Sequence, residues 1–392
     1  MRLLRLSTLN LLVMGSTFLF FSTSVRIAES IIAANFIIFG LAQSTSSLLS
    51  DSGKTNLAFR HSLRDPNHKY EIYSNLLRTR IKRNLPIQIF TLPIFMVKDI
   101  GLLAWLIFLV VSTIVILYSI ALSLVQAEES YNTVYVIQLL NGIGFIVSTS
   151  FLSRIDKPSL NIILIHLLAA WVPVSIFISK SVLRLLQLSK RYDDNSEDKR
   201  YFSRILYANI VTLNYNPFIL GIFSSHLLVL YTVSSMPITM LMPISASLST
   251  LASHRFSIQS FESSKHQIVR SMYFLPIALI IALISIPLIS NVIGLFFGTG
   301  YIVTMVLQIQ IISAILSLYT GLYGNLYSIS LLSRENRTIA YSQAFIILLL
   351  GTAGSLLQSL IIVALSDLLA RGVGLLLAIR SSSKFRRKNT YE

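Results

Sequence analysis

The sequence predicts an all-α polytopic membrane protein, with about twelve transmembrane helices in two six-helix lobes and both termini in the cytoplasm. Only 12% of its residues are charged, whereas a soluble domain carries roughly a quarter. Apolar runs long enough to cross a hydrocarbon core of about 30 Å recur along the whole chain. None of these runs alternates with the period of two that a membrane barrel strand requires, and a helix satisfies its own backbone hydrogen bonds in lipid. The runs are therefore predicted to be helices.

Twelve spans follow in order from the amino terminus. The first comes after Arg2 and Arg5 and is interpreted as an uncleaved helix, because further apolar segments follow it directly. The third is short and contains Pro86 and Pro93. The predicted spans are 6–23, 27–49, 85–97, 100–125, 131–152, 160–186, 207–223, 227–251, 271–296, 302–332, 338–356 and 360–379.

The distribution of basic residues supports this topology. If the amino terminus is cytoplasmic, all but five of the 32 Lys and Arg residues fall in cytoplasmic segments, as the positive-inside rule describes. The bias also favours a separate third span, since the basic segments flanking spans three to six need an even number of crossings between them. The five cations outside those segments are Arg26, Lys98, Arg154, Lys157 and Arg371.

A run of charged residues after position 190 divides the chain into halves. The sequence Leu-Tyr-Ser-Ile occurs at 117–120 and again at 326–329, near the cytoplasmic ends of spans four and ten, as expected of parallel repeats. The predicted domains are an N-terminal lobe at 1–190, a charged cytoplasmic linker at 191–204, a C-terminal lobe at 205–380 and a basic cytoplasmic tail at 381–392.

The residue types that most enzymes and metal sites require are scarce. The chain has no cysteine, and its six histidines are scattered without the spacings of zinc hydrolases or phosphate-binding loops. We therefore predict no catalytic residue, no metal site and no cofactor. The net charge of +16 lies mainly in cytoplasmic segments, which is typical of contact with anionic membrane lipids and does not indicate a nucleic-acid partner.

The C-terminal half resembles a known family. Residues 214–253 read NYNPFILGIFSSHLLVLYTVSSMPITMLMPISASLSTLAS, which is similar to helices seven and eight of polysaccharide exporters and O-antigen repeat-unit flippases, with Tyr231 opening the second helix. The LFFGTGY segment at 295–301 and the LLSREN segment at 331–336 resemble later connections of the same family. Two departures are that the family's Asp in helix seven is replaced by Asn214 or Asn216, and that the twelfth helix contains ALSDLLAR at 364–371.

The resemblance implies a lipid-linked oligosaccharide flippase of the multidrug/oligosaccharidyl-lipid/polysaccharide (MOP) exporter superfamily, in the bacterial inner membrane. Its substrate would be an undecaprenyl-diphosphate-linked oligosaccharide repeat unit, carried from the cytoplasmic to the outer leaflet for surface polysaccharide biosynthesis. The polysaccharide polymerase and the chain-length machinery are further candidate partners, in addition to membrane lipids.

Ionisable groups at membrane depth are costly, and they therefore mark candidate functional sites. Arg26 and Glu29 lie three residues apart, and Asp367 and Arg371 lie four apart. One interpretation is a local ion pair that serves packing. The other is that Arg26 and Arg371 bind an anionic headgroup, because a guanidinium donates paired hydrogen bonds to phosphate oxygens. Glu29 and Asp367 would then be counter-ions or coupling groups.

Three amides within the predicted helices form a second candidate set. Asn214, Asn216 and Asn325 can both donate and accept hydrogen bonds, as sugar hydroxyls require. Hydrogen bonds between neighbouring helices are the alternative interpretation.

The expected mechanism is alternating access through a central cationic cavity. A drug or cation exporter of the same superfamily is one alternative, although a cationic substrate would favour acidic residues in the cavity. A membrane-embedded polysaccharide polymerase is another alternative, although all the predicted outer connections are short.

Overall fold

The computed structural model describes residues 2–51, 54–128, 130–188, 198–236, 261–298, 303–329 and 333–389. Every regular element within these ranges is helical, and no strand occurs there, which confirms the predicted all-α class. The chain divides into two compact units, Met1–Leu206 and Tyr207–Glu392. Helix α8 begins at Asp198 and so includes the last part of the predicted linker, while residues 189–197 lie outside the described ranges.

The N-terminal unit is built from long helices joined by short connections. A 3₁₀ turn at Pro66–His68 precedes the fourth helix. The helices are α1 (Arg2–Ile27), α2 (Ser30–Asp51), α3 (Lys54–Arg64), α4 (Lys69–Val97), α5 (Leu102–Ala127), α6 (Tyr131–Leu152) and α7 (Leu160–Gln187).

The C-terminal unit contains most of α8 (Asp198–Phe223) and the helices that follow it. A π-helical turn at Ile347–Gly351 joins two of them. The remaining helices are α9 (Ser225–Ser234), α10 (Phe261–Met272), α11 (Leu275–Ile284), α12 (Ile286–Phe297), α13 (Thr304–Ile329), α14 (Ser333–Ile346), α15 (Thr352–Leu356) and α16 (Leu360–Asn389).

Eight helical segments among the described residues are long and apolar enough to cross a membrane: Ser30–Asp51, Leu102–Ala127, Asn132–Leu152, Leu160–Gln187, Glu262–Ile284, Thr304–Gly324, Arg334–Leu356 and Leu360–Ser382. Shorter apolar helices cover Leu12–Ile27, Ile210–Phe223, Ser225–Ser234 and Ile286–Phe297. These findings confirm a polytopic membrane protein. The predicted spans 227–251 and 302–332 extend partly outside the described residues.

The third predicted span differs most from the structure. Instead of 13 apolar residues, α4 is a continuous 29-residue helix with Pro86 and Pro93 inside it. It includes basic residues that the prediction placed in a loop. A turn separates α4 from α5, with positive φ angles of 51° at Asp99 and 91° at Gly101. The prediction of two helices here is therefore confirmed, whereas the predicted start of the first was wrong.

Helix α4 buries a polar face. Arg80, Asn84, Gln88 and Thr91 lie three or four residues apart and are at most 8% exposed. The partners of the two amides, Asn84 and Gln88, lie on two neighbouring helices, as expected for buried polar groups. Ser46 of α2 donates to Asn84 Oδ1 at 2.5 Å, Gln88 Nε2 donates to Ser112 Oγ of α5 at 2.5 Å, and Trp105 Nε1 of α5 donates to the Gln88 carbonyl at 3.1 Å.

Arg80 is the most elaborately bonded of these residues. Its Nη1 donates to Ser119 Oγ at 2.7 Å and to Thr55 Oγ1 at 3.1 Å, and Nη2 donates to the Ser47 carbonyl at 3.3 Å. The Asp51 carboxylate lies 3.4 Å from Nη1. The prediction counted Arg80 among the loop cations, but the structure buries it. These groups replace the hydration of Nη1 and Nη2, whereas Nε is buried without a hydrogen-bond partner among the described residues.

Aromatic packing and one close helix contact hold the rest of the N-terminal unit. Phe39, Phe95 and Phe108 stack mutually, with ring centroids 5.3 to 6.0 Å apart. A Cβ on Gly144 would lie 2.1 Å from the Ala170 carbonyl oxygen. Helices α6 and α7 therefore approach more closely than a larger residue would permit.

The predicted span 271–296 is interrupted in the structure. Helices α11 and α12 meet at Ser285 instead of forming one helix. The physical reason is that Pro276 and Pro287 lie in the first turns of α11 and α12, where the missing N–H is tolerated. Pro287 in particular cannot donate the backbone hydrogen bond that would continue α11 past Ser285.

Candidate functional site

A buried carboxylate organises the interior of the C-terminal unit. Asp367 of α16 is 9% exposed and accepts hydrogen bonds from side chains on three other helices. Asn216 Nδ2 of α8 donates to Oδ1 at 2.9 Å, and Gln310 Nε2 of α13 donates to Oδ2 at 2.8 Å. The Tyr231 hydroxyl of α9 also donates to Oδ2. Three neutral donors thus replace the hydration of this carboxylate.

The π-helical turn makes room for Asn216. A Cβ on Gly351, the last residue of that turn, would lie 2.1 Å from Asn216 Oδ1. Beside it, the Tyr215 hydroxyl and Thr352 Oγ1 are 2.6 Å apart. A π turn widens the helix locally and is frequent at functional sites. It brings the backbone of this segment directly against the amide that contacts Asp367.

Asn216 is the most connected of the donors. Besides Asp367, its Nδ2 donates to Ser366 Oγ at 2.8 Å and to the Val363 carbonyl at 3.3 Å. The Asn216 side chain is 2% exposed. These hydrogen bonds connect α8 to one face of α16.

Arg371 lies one helical turn after Asp367. Ala364, Asp367 and Ala378 are buried on the same side of α16, so that Arg371 points to the packed side of the helix, where it is itself only partly buried. Its positive charge acts on Asp367. Among the described residues, however, the guanidinium makes no salt bridge or hydrogen bond. The i, i+4 spacing places the two charges close together without closing an ion pair.

The other predicted site residues lie elsewhere. Arg26 is in the last turn of α1 and Glu29 follows in the α1–α2 connection, and both are exposed. The first helix therefore extends past the predicted end of its span at residue 23 and includes Arg26. Asn214 is partly buried and points about 200° around α8 from Asn216. The side chain of Asn325, on α13, lies outside the described residues.

The structure therefore brings together Asn216, Asp367 and Arg371. Sequence reasoning overlooked Tyr231, Gln310 and Ser366 as partners of Asp367. Tyr231 drew attention only through the family resemblance, and Gln310 only as a polar residue in an apolar helix. Because Gln310 and Tyr231 precede Asp367 by 57 and 136 residues, no local pattern could have connected them.

Among the described residues of the N-terminal unit, no buried acidic residue corresponds to Asp367. There, the acidic residues of the described segments stand at helix ends or in connections, as Asp51 and Glu128 do. Among the residues that the structure covers, the buried acidic residue is therefore Asp367 on α16.

The sequence matches no protein-family model and no curated protein. The fold, in contrast, matches solved transporters. An outward-facing multidrug resistance MATE family transporter of the MOP superfamily is similar at a TM-score of 0.65 and 13% identity, over 98% of this chain and 96% of that chain. An inward-facing one gives 0.64 and 12%, over 95% and 96%.

A third solved structure is a MOP superfamily transporter from Pyrococcus furiosus, described as having a binding pocket of reversed polarity that suggests a different function. It is similar at a TM-score of 0.61 and 13% identity, over 98% of this chain and 96% of that chain. The chain therefore has the fold of the MATE transporters of the MOP superfamily along nearly its whole length.

Proposed function

We propose that this protein is a membrane transporter that flips a lipid-linked oligosaccharide from the cytoplasmic to the outer leaflet of the bacterial inner membrane by alternating access. The observation that carries the proposal is the state of Arg371. Three neutral donors already satisfy Asp367, and the guanidinium one turn away has no hydrogen-bond partner among the described residues. A guanidinium whose hydrogen-bond donors are not used by these neighbours favours an anionic substrate.

A diphosphate-linked lipid has the matching chemistry. The planar guanidinium donates parallel hydrogen bonds to phosphate oxygens. A headgroup with a charge near −2 gains roughly 2.3 kcal/mol per charge for each 100 mV when it leaves a negative interior. The membrane potential therefore favours the outward direction.

The other candidate residues have subordinate roles in this proposal. Asn216 holds Asp367, while Asn214 and Asn325 are proposed to contact sugar hydroxyls. Arg26 is a second proposed contact for the anionic headgroup. Glu29 and Asp367 are proposed counter-ions or coupling groups, with Asp367 favoured by its burial.

Similar solved transporters support the mechanism and the choice of substrate class. They include inward-facing and outward-facing forms, which are the two states that alternating access requires. The reversed pocket polarity described for the Pyrococcus furiosus protein agrees with a change of substrate charge within this fold.

A drug or cation exporter is the second candidate, and Asp367 is the observation that favours it. A buried carboxylate can take a cation once its hydrogen bonds rearrange. The similar proteins described as multidrug transporters point the same way. The two candidates differ in which charge on α16 is indispensable, Arg371 for the flippase and Asp367 for the cation exporter.

A leaflet assay tests the proposal. Cells that lack the protein are complemented with the wild type, with Arg371→Gln, or with Lys98→Gln as a charge-matched control at the end of α4. We expect completed lipid-linked repeat units to accumulate on the cytoplasmic face without the protein and with Arg371→Gln, but not with Lys98→Gln. Unpolymerised units on the outer face would indicate a polymerase instead. Unchanged leaflets would overturn the flippase and favour the drug exporter.

A further inference from the structure

Two packed helices of the N-terminal unit carry exposed cations, in the first half of α4 and the second half of α7. Arg78 and Lys82 are exposed on α4, and Lys180 and Arg184 are exposed on α7. Each pair is spaced i, i+4, so that it lies on one side of its helix. The two helices touch here, since Ser74 Oγ of α4 donates to the Leu185 carbonyl of α7 at 2.7 Å.

Two of these cations are held in place by their surroundings. Arg78 Nη2 donates to the Leu186 carbonyl at 3.1 Å and also to the Leu188 carbonyl, at the end of α7 where the helix dipole is negative. Arg184 lies 4.3 Å above the ring of Tyr70, at cation–π distance. These two guanidinium groups are therefore held on this surface by their contacts.

The lengths of the helices place the cluster at the membrane surface. Arg78 is 19 residues before the end of α4, and Lys180 is 20 residues after the start of α7, which puts both about 30 Å from the outer helix ends. That distance is the thickness of a hydrocarbon core. With the topology derived from the charge bias, the cluster lies at the headgroups of the cytoplasmic leaflet.

Apolar side chains continue the same two faces toward the membrane interior. Leu85 and Ile89 of α4 are 60% and 56% exposed, and Ile176 of α7 is 69% exposed. A polar headgroup site bordered by exposed apolar residues matches a lipid, which has both an anionic phosphate and acyl chains. Glu128, which accepts a hydrogen bond from Tyr70 at 2.5 Å, offsets only one of the four charges.

We propose that the face formed by Arg78, Lys82, Lys180 and Arg184, the α4–α7 cation face, is a docking site for the phosphate group of an anionic phospholipid of the cytoplasmic leaflet. This site is separate from the Asp367 and Arg371 region, which belongs to the other unit. Its test involves no transport, so its failure would leave the proposed substrate untouched.

The experiment measures lipid binding to the purified full-length chain. Native mass spectrometry counts molecules of phosphatidylglycerol bound during a titration, with phosphatidylcholine as the neutral comparison. The test variant is Lys82→Gln/Lys180→Gln/Arg184→Gln. The control, Lys98→Gln/Arg154→Gln/Lys157→Gln, removes the same charge from the opposite helix ends.

We expect binding of phosphatidylglycerol to fall about five-fold for each cation removed from the α4–α7 cation face, and to be unchanged in the control. The single variant Lys180→Gln, at an exposed position, gives the same answer if the triple variant does not fold. Equal losses in both triple variants, or wild-type binding that does not distinguish phosphatidylglycerol from phosphatidylcholine, would overturn the proposal.

Discussion

Asn216 is one of the two positions, with Asn214, at which the resemblance to polysaccharide exporters implies an acid, and its contact with Asp367 shows what the amide does here. Its amide donates to Asp367 across 2.9 Å. A second carboxylate there would place two like charges together in a medium of low dielectric constant, where repulsion is strong. The amide instead stabilises Asp367, so that the negative charge of this region resides on one residue.

A substitution at Gly351 tests whether the close contact between the π-helical turn and the Asn216 side chain requires glycine. We expect Gly351→Ala to lower the stability of the protein by about 1–3 kcal/mol, because the new methyl group would displace the Asn216 amide and its bond to Asp367. The midpoint of thermal unfolding in detergent measures the effect.

Gly372→Ala on α16 is the matched control for Gly351. A Cβ at Gly372 meets nothing within 4 Å, and alanine favours a helix interior by about 1 kcal/mol over glycine. The control should be neutral or slightly stabilising. A Gly351→Ala protein as stable as this control would show that the turn accommodates a methyl group without displacing Asn216.

At the scale of single residues, the sequence predicted the charges better than their partners. Asp367 and Arg371 stand out because a charge inside an apolar run is costly wherever it lies. That Asp367 is satisfied by Tyr231 and Gln310 depends on how α9, α13 and α16 pack. Such packing is set by contacts between distant segments, and it leaves no trace in local periodicity.

Among the elements, α4 shows most clearly what hydropathy overlooks. It is absent from the segments whose composition alone qualifies them as membrane spans, because its polar residues lower the average. Those residues line one face and bond to α2 and α5. Average hydropathy counts each polar group as a cost, whereas the folded unit compensates the cost with hydrogen bonds.

The variant Gln88→Leu separates the cost of inserting a polar side chain into the membrane from the stability that its hydrogen bond gives the folded protein. The variant should insert α4 more readily as an isolated segment, yet it should lower the stability of the folded protein by about 0.5–1 kcal/mol, because the hydrogen bond from Gln88 Nε2 to Ser112 Oγ is lost. A glycosylation-tag insertion assay measures the first effect and thermal unfolding in detergent the second.

Thr79→Leu, at a partly buried position of α4, is the control for added apolar surface without the loss of a bond to Ser112. It should leave the unfolding midpoint close to that of the wild type. If Gln88→Leu proved as stable as Thr79→Leu, the polar face of α4 would contribute nothing to folding.

For the whole molecule, the charge bias predicts which side each connection faces. Since the chain has no cysteine, a single introduced cysteine can be labelled without background. We expect Asp156→Cys, in the α6–α7 connection, to react with an impermeant reagent outside intact cells. Asn67→Cys, in the 3₁₀ turn before α4, should react only after the cells are opened.

Both positions are exposed, so a difference in labelling reports sidedness and not burial. Reaction of Asn67→Cys from outside would invert the predicted topology, and the α4–α7 cation face would then lie in the outer leaflet.

The fold class itself was predictable from the sequence, because apolar run length and charge bias are local properties that need no knowledge of packing.

The buried face of α4 also has a consequence for the order in which the protein is made. Its hydrogen-bond partners are divided between α2 and α3, which leave the ribosome earlier, and α5, which leaves it later. Until α5 has been synthesised, Arg80 would lack Ser119 and Gln88 would lack Ser112, and leaving polar side chains unpaired in lipid is unfavourable. We therefore expect α4 to remain beside the insertion machinery until α5 emerges, so that the two helices enter the bilayer as a pair.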